Sequence, residues 1–381
     1  MASLSGGARP GSLSLTLKPV SLTIKRSSLV AEVANSVRGE IFRGAWTEWI
    51  PSTRELSQSI NVSRNTCRAA LQILYREKLL EPVRGRGTRI KRTVQLERHS
   101  AGRNDRSVGV ILPEGLGRLP PRVAHLIEEL QADLYHLQAR LELHASPAFF
   151  QADPRRALEK LVEKNQHDCW ILVLSHRALQ EWFMQRGLPC MVSGSIYSDI
   201  LLPSVDLDFR AICRHAAGVL IAKGHQRIAL LNRRRLGAGD MESEAGFNEG
   251  AMNSSREAVD ARVVYHDDSV ESVSDLIRKL FVDRDRPTGL IVANPFCYLS
   301  VMTTLLRSGF RVPEDVSLIS REDDPFLAYV SPEPARYFYD VTRLARRHMM
   351  IIRPLLEGGG LKFDPVRIEP RFTAGGSIKN I

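Results

Sequence analysis

Several absences narrow what this chain can do. No run of about 18 apolar residues occurs in it, so a membrane-spanning helix is not expected. The first 27 residues are polar with scattered leucines and no continuous apolar core, which reads as a flexible tail (1–27) and not a signal peptide. Cysteine is scarce, 5 in 381 residues, with no C-x-x-C pair and no Cys/His ligand spacing. An odd, scattered set excludes a disulfide framework and fits reduced, buried thiols in a cytoplasmic protein. There is no nucleophile elbow, no H-E-x-x-H and no phosphate loop. Gly358-Gly359-Gly360 lacks the strand and helix that would frame a nucleotide site. We therefore expect no catalytic residue, no cofactor and no metal: the chain is not read as an enzyme.

What is present is unevenly spread. At 381 residues and 43% hydrophobic content the chain can build two or three domains with real cores. Residues 1–107 hold 4 Lys and 15 Arg against 8 Asp and Glu, a net of +11 in a chain of net charge +10, so the remainder is near −1. Basicity confined to one end is the electrostatic footprint expected of a nucleic-acid-binding domain.

Residues 50–90 carry the clearest pattern. Ser52 precedes Glu55 by three, a capping box that starts a helix. Leu56 and Ile60 follow at i, i+4. Asn61-Val62 supplies a turn, and Ser63 caps a second helix in which Cys67, Ala70, Leu71 and Leu74 share one face. Arg64, Asn65 and Arg68 crowd the opposite face near the N-terminus, the layout of a recognition helix. Arg84-Gly85-Arg86-Gly87-Thr88-Arg89 then predicts a basic hairpin whose glycines permit a tight reversal. An amphipathic helix over Leu29–Arg43, with Leu29, Val33, Val37 and Ile41 four apart, precedes the pair, and Trp46 and Trp49 are expected to plug the small core. Together these predict an α+β winged helix-turn-helix over 28–92, followed by a polar, aperiodic linker over 93–107.

Pro51-Ser52-x-Arg54-Glu55-Leu56, Val62-Ser63-Arg64-x-Thr66-x-Arg68-x-Ala70-Leu71 and Gly85-Arg86-Gly87-Thr88 resemble, in order and spacing, the signature of GntR-type bacterial repressors. Cys67 stands where that family usually has valine. The resemblance implies that Arg54, Ser63, Arg64, Thr66, Arg68 and the wing residues Arg84, Arg86 and Gly87 meet DNA.

From Val108 onward short apolar runs alternate with amphipathic helices. Strands are predicted at Val108–Leu112, Leu141–His144, Trp170–Leu174, Cys190–Val192, Ile228–Leu231, Val263–Tyr265, Leu290–Val292 and Val316–Ile319. Continuous apolar strands alternating with helices point to parallel sheets covered on both faces, here a two-lobed α/β domain over 108–381. Val205-Asp206-x-Asp208, Gly224-His225-Gln226-Arg227-Ile228-Ala229, Gly246-Phe247, Arg286-Pro287-Thr288-Gly289 and Gly309-Phe310-Arg311-Val312-Pro313-Glu314-Asp315-Val316 resemble LacI/GalR-type effector domains, which have a periplasmic-binding-protein-like fold. A GntR-type reader fused to such a domain is similar to arabinose-repressor-type regulators. That resemblance implies a homodimer on a palindromic double-stranded operator and a small-molecule effector.

In two-lobed α/β binders the ligand sits beyond the carboxyl ends of the strands. The residues expected there are Glu114, Ser175, His176, Ser193, Ser243, Asn294, Glu322 and Asp323, with Phe209 or Phe296 offering an aromatic face to a sugar ring. Departures from the resembled pattern are visible. Ser243 replaces an arginine three residues before Gly246-Phe247. Asn294-Pro295 lacks an acidic partner, Ser320-Arg321-Glu322-Asp323 gains an arginine, and Gly375 replaces an arginine. Loss of the arginine at position 243 argues against an anionic ligand and for a neutral sugar or polyol. The alternative is a dimeric regulator with a vestigial pocket. A fused aminotransferase regulator is not supported, since no pyridoxal lysine context is found. His225 reads as a turn residue, Arg233-Arg234-Arg235 as a solvated loop, and Val123, Leu126, Ile127, Leu130 and Leu134 as a helix stripe shared between the lobe core and a dimer partner.

Overall fold

The computed structural model describes residues 29–42, 46, 48–76, 79–83, 85–90, 106–234, 237–252, 259–357 and 364–381. The tail expected at 1–27 lies outside the described residues, as do Gly358-Gly359-Gly360 and most of the expected linker.

Helices α1 (Leu29–Phe42), α2 (Thr53–Ser59) and α3 (Arg64–Arg76) and the hairpin β1 (Leu80–Val83) and β2 (Gly87–Ile90) form the first unit. The capping box closes both ways. Ser52 N–H donates to Glu55 Oε2 at 2.8 Å, and Glu55 N–H donates to Ser52 Oγ at 3.3 Å. Asn61 turns the chain with φ 54°, and Thr66 N–H donates to Ser63 Oγ at 3.1 Å to start α3. Val33, Val37, Ile41, Leu56, Cys67, Ala70, Leu71, Leu74, Leu80 and Ile90 make one buried cluster, with Trp46 packed against it. Leu29 is a correction: it opens α1 and is 54% exposed, and Val30 packs on the core instead. Trp49 is half-buried and bridges Arg89 of the hairpin.

The rest folds as two six-stranded sheets. One contains β3 (Arg106–Leu112), β4 (Ala139–Ala145), β5 (Cys169–Val173), β6 (Cys190–Ser193), β7 (Ser204–Leu207) and β13 (Val366–Ile368), in spatial order β4-β3-β5-β6-β7-β13 and parallel throughout. The other contains β8 (Arg227–Arg233), β9 (Asp260–His266), β10 (Gly289–Val292), β11 (Ser317–Ser320), β12 (Ala335–Phe338) and β14 (Arg371–Thr373). Its order is β9-β8-β10-β11-β12-β14, parallel except for β14. Arg106 and Ser107, assigned to the linker from sequence, belong to β3: Ser107 pairs in register with Arg140, and its N–H donates to Asp168 at 2.8 Å.

The helices are α4 (Pro121–His136), α5 (Arg155–Lys164), α6 (Arg177–Arg186), α7 (Phe209–Ala222), α8 (Ala238–Met252), α9 (Val270–Leu280), α10 (Pro295–Arg307) and α11 (Val341–Leu356). Both lobes follow from the sequence rule that strands covered on both faces are apolar throughout: Ile111, Leu112, Ile171, Leu172, Leu230, Leu231, Ile291 and Ile319 are fully buried. The chain passes between lobes three times, from β7 into α7, from β12 into α11, which packs on α4, and from β13 into β14. All five cysteines are free and buried. No helix among the described residues is long and apolar enough to cross a membrane.

Candidate functional sites on the winged unit and in the inter-lobe cleft

On the winged unit Arg54, Ser63, Arg64, Asn65, Arg68, Arg86 and Gly87 are exposed and Thr66 is half-buried. Arg84 lies outside the described residues. The reason is the helical period. With Cys67, Ala70, Leu71 and Leu74 turned into the core, Arg64, Asn65 and Arg68 must face away from it. Ser63 Oγ and Thr66 Oγ1 lie 2.7 Å apart, so both hydroxyls already serve the helix start. The wing is fixed to α3 by the Tyr75 hydroxyl and Thr88 Oγ1 at 2.7 Å. Gly87 has φ 110° at the reversal, a conformation that favours glycine. A helix N-terminus with projecting arginines beside a basic hairpin suits phosphate and base-edge contacts.

The second site is a cleft of about 500 Å³ between the carboxyl ends of the two sheets, within the size range of small-molecule pockets. Of the residues expected there, Ser175, His176, Ser193, Phe209 and Glu322 line it. Others do not. Asn294 spends its side chain capping α10, accepting from Phe296 N–H at 3.0 Å. Asp323 turns to Arg336 at 2.8 Å. Glu114 sits half-buried in the loop after β3, away from the cleft lining. Phe296 stacks on Phe326 instead of facing the cleft. Ser243 lies fully buried beneath the cleft wall.

The argument from a missing guanidinium needs correction. Arg321, from the end of β11, donates to Ser243 Oγ at 2.9 Å and to Asp240 Oδ1 at 3.1 Å through Nη1, and to Glu322 Oε1 at 2.9 Å through Nη2. Its guanidinium lies 4.3 Å from the centre of the Phe209 ring. Its Nε is buried with no hydrogen-bond partner among the described residues. Arg122 of α4 adds a second cation, 3.1 Å from Glu322, and this pair joins the two lobes. Arg233, expected in a solvated loop, ends β8 and reaches Asp240 at 2.7 Å. Arg234 pairs outside with Asp267, and Arg235 is not among the described residues.

Burial works against each of these charges, and the partners outweigh it. Glu322 is held below its ordinary range by Arg122 and Arg321, and Asp240 by Arg321 and Arg233. Asp206 differs. Burial pushes its carboxyl up to about 6, against the Ser195 hydroxyl that donates to it at 2.5 Å. Behind the wall, His348 Nδ1 lies 2.9 Å from Leu344 O, a pure acceptor, so Nδ1 carries the proton and Nε2 accepts from Ser193 Oγ at 2.9 Å. His176 follows the same logic. Nε2 donates to Gln151 O at 2.8 Å, which leaves Nδ1 a buried acceptor with no hydrogen-bond partner among the described residues.

Sequence reasoning missed Arg122, Ser195, Asp206, Asp240, Tyr339 and His348. None of the six is a charged residue directly after an apolar strand; that signal marks Arg233 and Arg321, at the ends of β8 and β11. His225 is buried and bonded to Thr288 at 2.9 Å, consistent with a turn residue. Gly375 cannot be an arginine here, because a Cβ would come within 2.4 Å of Glu333 O. The α4 stripe is turned inward, with Val123 and Leu126 at the cleft. Val123, Leu126, Ile127, Leu130 and Leu134 are all buried, and the outward face is Glu128, Gln131, Ala132 and Tyr135.

Residues 29–90 match the gntR family of bacterial regulatory proteins, and residues 217–378 match the periplasmic binding protein-like domain. The chain is similar to catabolite control protein A of Priestia megaterium, 24% identical over 285 residues that cover 71% of this chain and 81% of that one. It is also similar to the HTH-type transcriptional regulator CelR of Thermobifida fusca, 27% identical over 189 residues, 48% of this chain and 55% of that one. Among solved structures, a LacI family transcriptional regulator from Enterococcus faecium with bound ribose aligns with TM-score 0.61 at 18% identity, over 72% of this chain and all of that chain. A CelR–cellobiose complex aligns with TM-score 0.63 at 17% identity, over 86% of this chain and all of that one.

Proposed function

From a chain that joins a gntR-family winged domain to a periplasmic binding protein-like domain, we propose a transcriptional repressor whose operator affinity is set by a small neutral sugar or polyol. The observation that carries this reading is the charge-balanced cleft between two lobes, in the same chain as an exposed arginine face. Arg122, Arg233 and Arg321 meet Asp206, Asp240 and Glu322, so no net field favours an anion. Ser175, His176, Ser193 and Ser195 line the cleft with groups that can donate and accept, which suits a hydroxyl-bearing ligand, since it offers both. Ribose and cellobiose, bound in the two aligned regulators, are of that class.

The protein acts as a homodimer on a palindromic operator, since a single winged domain reads few base pairs and two-fold symmetry matches a palindrome. With the α4 stripe used internally, the partner meets the outward α4 face around Tyr135, which is 79% exposed. The test is to select genomic fragments with the purified protein and measure their binding with and without neutral pentoses, hexoses and the corresponding phosphates. A neutral sugar that binds by calorimetry and shifts operator affinity supports the reading. Tighter binding of a sugar phosphate or a dicarboxylate overturns the charge argument.

A further inference from the structure

The first lobe carries a second cluster that the cleft does not use. Glu142 and His144 stand two apart on the edge strand β4, so their side chains leave the same face. His167, in the loop before β5, completes the group, its Nε2 lying 2.8 Å from His144 Nε2 and 3.8 Å from a Glu142 oxygen. The three donor atoms fall within 4.8 Å of one another, and each residue is half-buried. The fold makes room for this. Gly109 is registered between Glu142 and Trp170, and a Cβ there would come within 2.4 Å of His167 Cδ2. Trp170 supports both rings, with centroids 4.7 Å from His167 and 5.4 Å from His144.

We propose that Glu142, His144 and His167 bind a divalent transition-metal ion of the zinc class, with water completing the coordination. Two imidazoles and one carboxylate suit such an ion, whereas magnesium and calcium prefer all-oxygen sets. The two Nε2 atoms must part to about 3.3 Å to sit tetrahedrally at bond lengths of about 2.0–2.1 Å, a small rotation at a sheet edge. His167 is already oriented: its Nδ1 lies 3.0 Å from Ser107 Oγ, and donation there leaves the Nε2 lone pair facing the ion. Burial lowers the pKa of both rings, which keeps them neutral as ligation requires. A hydrogen bond between the rings accounts for two members of the group but not for a carboxylate converging on the same point. The group His266, Asp268 and Cys297 also brings its donor atoms within 4.8 Å, but His266 Nδ1 already accepts from the Asp268 N–H at 3.0 Å, and Cys297 lies on the Nε2 side.

The experiment titrates chelator-treated full-length protein with zinc and with cobalt, followed by calorimetry, visible absorption and thermal melting. One ion per chain is expected, with weak cobalt d–d bands, no thiolate charge-transfer band and a raised melting midpoint. His144→Gln and His167→Gln should abolish binding, and Ser107→Ala should weaken it roughly 10–100-fold, as second-shell changes do. Glu142→Gln, at an accessible side chain, keeps the fold and should weaken binding at least about tenfold, by removing one ligand. Absence of binding at micromolar ion, unchanged affinity in Glu142→Gln and His144→Gln, or a thiolate band would each overturn the assignment.

Discussion

Arg321 enters the cleft from the end of β11 and meets Ser243 at the point where the resemblance places an arginine on α8. The guanidinium is thus supplied from another element, and its neighbours Asp240 and Glu322 neutralise it. Two other buried groups, Asp206 and His348, titrate in opposite senses. The His348 pKa is depressed to about 4 by burial, so between pH 6.5 and 4 the unfolded chain takes up a proton that the folded chain refuses, and stability is lost as pH falls. Asp206 is raised to about 6, so from pH 6 downward the folded chain protonates first, and its contribution grows as pH falls and is lost as pH rises through 6. The two windows overlap and largely cancel in the wild type. Compared with wild type in urea melts, His348→Gln should gain about 3 kcal/mol between pH 6.5 and 4, at 1.36 kcal/mol per pKa unit. Asp206→Asn should lose stability over pH 6 to 4, by less, since the cleft admits solvent. Parallel pH profiles for all three proteins would remove both assignments.

At the scale of elements, the winged unit was legible because its signals are local. A capping box, a turn residue and a helix stripe each lie within a few positions, and every one is seen in α2 and α3. β3, β5, β6, β8, β10 and β11 were legible as unbroken apolar runs. β7, β12, β13 and β14 were not, because a charged residue, Asp206, Arg336, Arg367 or Arg371, interrupts each apolar run. Their identity comes from pairing with distant strands, which no local pattern records. The cleft was legible as a place but only half in its residues. A strand end can turn its side chain to a helix cap, as Asn294 does, or to a neighbouring strand, as Asp323 does. For α3 the exposed Arg64 and Arg68 give a sharp expectation. Each alanine variant should cost roughly 1–3 kcal/mol of operator binding, concentrated on particular base pairs if the contact is to a base. Arg86→Ala in the wing should weaken all sequences alike and flatten the salt dependence by about one phosphate contact. Gel shifts across a salt series separate the two, and wild-type affinity in both α3 variants would remove α3 from the interface.

For the whole molecule, the question is what holds two lobes joined by three chain crossings in one arrangement. Arg122 and Glu322 answer it most directly, because one stands on α4 of the first lobe and the other follows β11 of the second, 3.1 Å apart and largely out of solvent. A buried pair contributes little against a well-packed apolar substitute, but removing one partner strands a charge, at a cost of about 3–5 kcal/mol. Glu322→Gln should therefore destabilise this arrangement of the lobes strongly, leaving Arg122 and Arg321 short of a counter-charge. Arg122→Met with Glu322→Met should recover much of the loss. A ligand can shift operator affinity only as far as it discriminates between the lobe arrangements, so the latch variant should also change how strongly ligand and operator are coupled. Denaturation of the two single variants and the double, with small-angle scattering to read lobe separation, tests the chain of reasoning. If the single and double costs simply add and the lobe separation of Glu322→Gln is unchanged, the pair is not what holds them together.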